Sequence, residues 1–108
     1  MTIHSSKVVV KDNKYYFNRD GVDMGKLVTA KILFFSENGE LACDFNVKNG
    51  VFDGIQKLYK DVYFQLSSEE NYKNGLADGL SKFYRDGTLF MEKTFRDGTL
   101  ISEEQITQ

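Results

Sequence analysis

The chain contains one imidazole, His4, and one thiol, Cys43. Acid–base or nucleophilic catalysis needs such groups in partnership, with a base beside the nucleophile and a third group orienting the base. A serine triad would have to recruit His4, and no Gly-x-Ser-x-Gly elbow is present. His4 reads as incidental, in a mobile N-terminal segment. Cys43 shares its alternating positions with Leu41, Phe45 and Val47, which makes it a core thiol. One Cys and one His cannot close a zinc site. Carboxylates are plentiful and include the adjacent pairs Glu69-Glu70 and Glu103-Glu104. Neighbours on a strand point to opposite faces, so neither pair forms an acid/base couple, and both read as solvated surface. Asp53, Asp78, Asp86 and Asp97 each precede a glycine and are accounted for by turn chemistry. No calcium loop, Gly-x-Gly-x-x-Gly run or phosphate loop occurs. The expectation is a protein with no catalytic, metal-binding or cofactor-binding residue and no enzymatic activity.

Aromatic side chains are the remaining candidates for chemistry at a surface. Phe (9) and Tyr (6) make up 14% of the chain, which has no tryptophan. A single sheet presents two faces, and a small chain can cover only one of them well. Tyr59, Tyr63 and Tyr84 are therefore candidates for an exposed strip that meets a protein partner, since tyrosine is favoured at interface hot spots. In the competing arrangement both faces are buried, by curling, by the terminal segments or by self-association.

The elements that would position these residues are strands. Eight of the nine glycines follow Asn or Asp: Gly21, Gly39, Gly50, Gly54, Gly75, Gly79, Gly87 and Gly98. Asx-Gly dipeptides accept the left-handed backbone of tight hairpin turns. Between them the apolar residues alternate. Leu41, Cys43, Phe45 and Val47 form one face, and Val28, Ala30, Ile32 and Phe34 a second. Leu89, Met91 and Phe95 give a third, interrupted by Lys93, and Val62, Phe64 and Leu66 a shorter one. Residues 7–11 and 14–17 flank Asp12-Asn13 as a first hairpin. The pattern predicts an all-β, antiparallel meander of about eight strands with little or no helix. The polar tail 102–108 is expected to be helical or frayed.

The glycines also expose a repeat. Gly50 and Gly75 are 25 residues apart, and Gly75 and Gly98 are 23 apart. In each interval a second glycine follows four residues on (Gly54, Gly79) and a tyrosine nine residues on (Tyr59, Tyr84). The run Arg85-Asp86-Gly87-Thr88-Leu89 recurs as Arg96-Asp97-Gly98-Thr99-Leu100. A fixed period of this size means stacked supersecondary units. One domain, 1–108, is expected, with hairpin repeats at about 20–49, 50–74 and 75–98.

The stretch from Lys73 to Leu89 (Lys-Asn-Gly-Leu-Ala-Asp-Gly-Leu-Ser-Lys-Phe-Tyr-Arg-Asp-Gly-Thr-Leu), followed by Thr94-Phe95-Arg96-Asp97-Gly98, resembles a MORN-type repeat. It is similar in particular to the bacterial variant of the YwqK-family antitoxins. The copy from Lys48 to Asn74 departs from that pattern, with Asp61-Val62 where Asn-Gly would stand. The resemblance implies a MORN-like binding scaffold, and for the bacterial variant an antitoxin or immunity protein that binds and neutralises a toxin. For the wider family it implies a structural, self-assembling or membrane-associated scaffold.

Bulk properties narrow these options. A net charge of −2, with both signs scattered along the chain, lacks the basic stripe that nucleic acid demands. No basic amphipathic segment favours a membrane surface. The N-terminus shows no apolar signal region, so a cytoplasmic location is expected. The partner is thus expected to be a protein, with a homodimer through unpaired sheet edges as the alternative.

Overall fold

A computed structural model describes residues 1–60 and 65–107 and is almost entirely strand, which confirms the all-β class. Its elements are β1 (Thr2–His4), a single 3₁₀ turn (Ser5–Lys7), β2 (Val8–Lys11), β3 (Lys14–Arg19), β4 (Val22–Leu27), β5 (Ala30–Phe35), β6 (Leu41–Lys48), β7 (Val51–Phe52), β8 (Gly54–Tyr59), β9 (Leu66–Lys73), β10 (Leu76–Arg85), β11 (Thr88–Arg96) and β12 (Thr99–Gln105). Twelve strands are present among the described residues, more than the eight expected. Two of the additions come from segments read as loose. His4 belongs to β1, which pairs in parallel with β5, so the N-terminal segment is held in the sheet. The tail continues as strand to Gln105, because Glu103 and Glu104 lie in register with Lys93 and Glu92 of β11. Of the short face predicted over Val62, Phe64 and Leu66, only Leu66 is among the described residues.

The turns follow the Asx-Gly reading where the backbone reverses. Asp20-Gly21, Asn49-Gly50, Asn74-Gly75, Asp86-Gly87 and Asp97-Gly98 all have both φ angles positive, as does Asp12-Asn13. Two such residues make the turn whose twist matches the flanking strands. Asp53-Gly54 and Asp78-Gly79 depart from this. Gly54 begins β8 and Gly79 sits inside β10, with φ of 102° and 99°. Between Ala77 and Ser81 the pairing of β10 with β9 slips, so Gly79 marks a bulge rather than a hairpin turn.

Those two aspartates explain how the repeats dock. The Asn74 N–H donates to the Asp53 carboxylate at 3.1 Å, and the Asp97 N–H donates to Asp78 at 3.2 Å. Beside them the Gly75 N–H donates to the Phe52 carbonyl and the Gly98 N–H to the Ala77 carbonyl, both at 2.8 Å. The first junction uses the same device with a hydroxyl. The Asn49 N–H donates to Thr29 Oγ1, and the Gly50 N–H to the Val28 carbonyl, again at 2.8 Å. Each of these three turns is fastened to the segment before it, which satisfies backbone donors that the ladder cannot reach.

The long sheet runs β1-β5-β6-β8-β9-β10-β11-β12, with β7 also paired to β6, and β2-β3-β4 form a small second sheet. Among the described residues, Val28, Ala30, Ile32 and Val47 form the buried hydrophobic cluster. Val8, Tyr15 and Phe17 of the small sheet pack on this cluster, with Phe34, Phe45 and Phe52 of the long sheet. Aromatic rings continue the contact in a chain. Phe34 and Phe45 lie 5.4 Å apart, Phe45 and Phe52 4.8 Å, and Phe52 and Tyr72 5.2 Å. The small sheet thus packs over β5–β7, while β9–β12 extend beyond it in a molecule measuring 47 × 34 × 21 Å.

Candidate functional site

Away from the bulges, strand register assigns ladder residues to a face, because directly opposed residues point the same way. Phe34, Cys43, Leu58, Ser68, Phe83 and Met91 form one row across the sheet. It lies on the face that carries Ile32 and Phe45, which the small sheet covers at its other end. Over β8–β11 the row's apolar members Leu58, Phe83 and Met91 are half-buried, and Ser68 between Leu58 and Phe83 is buried. The next row on the same face is polar: Gln56, Glu70, Ser81, Lys93 and Glu103. Lys93, the residue that interrupts the apolar alternation of β11, lies 3.5 Å from Glu103 and 5.4 Å from the centre of the Phe83 ring. Ser68 Oγ donates to Glu70 at 3.2 Å. Ser81 is buried between these strands with its Oγ unpaired. Gln56 is equally buried but fully used: its side chain accepts from the Asn46 N–H and donates to the Asn46 carbonyl, both at 2.8 Å.

The opposite face carries an ordered row of charge. Asp44, Lys57, Glu69, Lys82, Glu92 and Glu104 stand directly opposite one another on β6, β8, β9, β10, β11 and β12. The sign alternates from Asp44 to Glu92 and fails at the last step, where Glu92 meets Glu104. Lys57 and Glu69 approach to 3.9 Å, and Lys31 adds a second cation 3.4 Å from Asp44. The adjacent carboxylates are divided between the two faces, as strand geometry requires. Glu69 joins the charged row and Glu70 the mixed face, and both are half-buried rather than fully solvated.

Among the tyrosines proposed as a strip, Tyr59 ends β8 and Tyr84 is the penultimate residue of β10, and both are half-buried. Each follows an apolar-face residue, Leu58 or Phe83, so alternation turns it to the charged face. With β9 between them, the two positions are roughly 10 Å apart. Tyr63 lies outside the described residues. Phe35 precedes Tyr59 by one repeat and stacks on His4 at 5.4 Å, while His4 Nδ1 holds Ser6 at 2.9 Å. His4 therefore supports packing at the start of the sheet. Cys43 is half-buried within the apolar row, and burial pushes its thiol pKa up, which keeps it protonated and poorly nucleophilic. Burial likewise raises the phenol of Tyr72, with the Glu70 charge adding to it.

A separate cleft of about 710 Å³ lies between the N-terminal segment and the small sheet. Ile3, Phe17 and Met24 line it together with Lys7, Arg19 and Lys26. Among the described residues, no three His, Cys, Asp or Glu side chains gather in a metal-binding arrangement. No helix among them is long and apolar enough to cross a membrane.

The charged row was the main feature that sequence reasoning missed. Its signal was present, since Asp44 and Glu69, and Lys57 and Lys82, are each 25 residues apart, one repeat length. In comparisons with known proteins, no family model, no curated protein and no solved structure matches this chain.

Proposed function

We propose that the chain is a non-enzymatic protein-binding module whose contact surface is the open end of the apolar face over β8–β11. One observation carries this reading: the small sheet packs over β5–β7, and beyond it the same face presents the half-buried Leu58, Phe83 and Met91, with the buried Ser68 between the first two. Phe83 and Met91 stand directly opposite each other, and an apolar pair rimmed by charge is what a protein interface uses. Lys93 and Glu103 supply that rim, and Phe83 supplies an aromatic anchor at its centre. The resemblance to MORN-type repeats of YwqK-family antitoxins supports a toxin as the partner, neutralised in the cytoplasm by being covered.

The test compares wild type with Phe83→Asp and Tyr84→Ala, which place one change on each face. Each tagged protein is used to capture partners from host lysate, after circular dichroism has established that it is folded. The expected outcome is one stoichiometric partner, lost with Phe83→Asp and kept with Tyr84→Ala. Loss with Tyr84→Ala alone would move the contact to the charged face and the tyrosine positions. Equal capture by all three would refute a sheet-face contact.

A further inference from the structure

We propose that the outer edge of β12 accepts an extended segment of the partner protein as an added antiparallel strand, and that this segment carries two consecutive basic residues opposite Glu104 and Glu103. The inference rests on the protein-binding reading and adds to it the chemistry of the partner.

The backbone provides the acceptor. β12 pairs with β11 on one side, and among the described residues no strand pairs with its other side. All seven of its residues are exposed. The Ile106 N–H donates inward to the Phe90 carbonyl at 2.8 Å, so alternation turns the Glu103 and Gln105 N–H groups outward. An unpaired row of donors and acceptors at a sheet edge is a template for another strand.

Charge selects which strand fits. On one face the signs read Asp44 negative, Lys57 positive, Glu69 negative, Lys82 positive, Glu92 negative and then Glu104 negative. On the other face Lys93 is followed by Glu103. Both rows therefore end in a carboxylate at the edge, and one added strand with a cation toward each face would continue the alternation on both. Thr99–Gln105 contains no basic residue. Two copies paired antiparallel through β12 would bring no cation from that strand to Glu103 or Glu104 in any register. The occupant is therefore a different, basic strand. Opposite Leu100 and Ile101, exposed at 47% and 50%, that strand is apolar.

The probe is a synthetic peptide, Thr-Lys-Lys-Thr-Val-Val-Thr, with Thr-Glu-Glu-Thr-Val-Val-Thr as its control. Backbone amide NMR of the whole protein reads where each binds. The basic peptide is expected to shift the Glu103 and Gln105 amides most, and the acidic peptide to bind about tenfold more weakly. Glu104→Lys restores alternation with Glu92, so it should hold or raise the melting temperature while weakening the basic peptide about tenfold. Stability and binding moving in opposite directions is a result that a merely structural Glu104 would not give. Equal binding of both peptides, or an unchanged preference in Glu104→Lys, overturns the inference. Shifts confined to Leu58, Phe83 and Met91 overturn the edge contact while leaving the apolar-face reading intact. A light-scattering mass showing a dimer that Glu104→Lys dissociates would make the occupant a second copy and overturn it as well.

Discussion

Gly50 joins the two sheets, and replacing it with alanine should cost far more than the same change at Gly39. The two glycines have nearly the same backbone, with φ of +84° and +83°. The left-handed backbone costs a residue with a Cβ about 1–2 kcal/mol at either site. The loss of glycine's freedom in the unfolded chain returns about 0.4–1 kcal/mol. What differs is the space. A Cβ at Gly39 meets nothing within 4 Å. At Gly50 it would lie 2.6 Å from Leu27 Cδ2, 3.2 Å from the Tyr15 carbonyl oxygen and 3.3 Å from Lys14 Cβ. The Tyr15 N–H donates to the Gly50 carbonyl and the Gly50 N–H to Val28, each at 2.8 Å, so the backbone is held from both sides. Crowding of this kind costs about 1–3 kcal/mol. Gly39→Ala should therefore destabilise by about 1 kcal/mol, and Gly50→Ala by about 2–4 kcal/mol. Urea unfolding of both variants with unchanged m-values is the assay. Leu27 is the contact able to move, so Leu27→Ala combined with Gly50→Ala should recover part of the loss, leaving the carbonyl contact. Equal destabilisation at the two glycines would refute the reasoning that the joint is sterically closed.

Two further outcomes follow from buried groups. Gln56→Ala removes a side chain that serves both the N–H and the carbonyl of Asn46, and should destabilise by about 2–4 kcal/mol, measured by denaturant unfolding. Gln56→Leu, which restores volume without polarity, should recover only the packing part of that loss. The third outcome concerns alkaline pH. Burial raises the Cys43 thiol and the Tyr15 and Tyr72 phenols above their ordinary values, so the unfolded chain loses these protons first. Their contribution to stability is complete below the unfolded values and declines as pH rises above about 9, then more steeply above about 10. Unfolding midpoints across that range check it, and Cys43→Ala should abolish the first decline while leaving the second.

The repeat period and the turn dipeptides made most of the meander readable, because Asx-Gly with positive φ is a local requirement and needs no tertiary partner. The first hairpin around Asp12-Asn13 was readable for the same reason. Asp53-Gly54 and Asp78-Gly79 were misread because a bulge and a turn make the same demand on glycine. Only the neighbouring hairpin, whose N–H groups those aspartates accept, distinguishes the two. β1 escaped notice because parallel pairing of Thr2–His4 with β5 has no nearby turn to announce it. Strand alternation separated Glu69 from Glu70 correctly. It could not say which face the small sheet would cover, since that depends on the packing of Tyr15 and Phe17 against residues some thirty positions away. Lys93 did stand out in the sequence as a break in an apolar row, and it lies within the proposed surface.

The fastening of the turns at Gly50, Gly75 and Gly98 to the preceding segment makes the long sheet behave as a linear chain of nearest-neighbour couplings. The Asp53 carboxylate accepts from Asn74 and the Asp78 carboxylate from Asp97, so each of these junctions couples one hairpin to the next. Cooperativity in such an array is a property of the interfaces rather than of one central core. The end next to the small sheet is anchored, whereas among the described residues β12 has a strand neighbour on one side only, so local opening should begin there and travel inward one hairpin at a time. The same modularity bears on ancestry. Duplicating a 25-residue unit lengthens the sheet without disturbing any contact upstream, and the divergence among the three copies is what gradual drift after such duplication would leave.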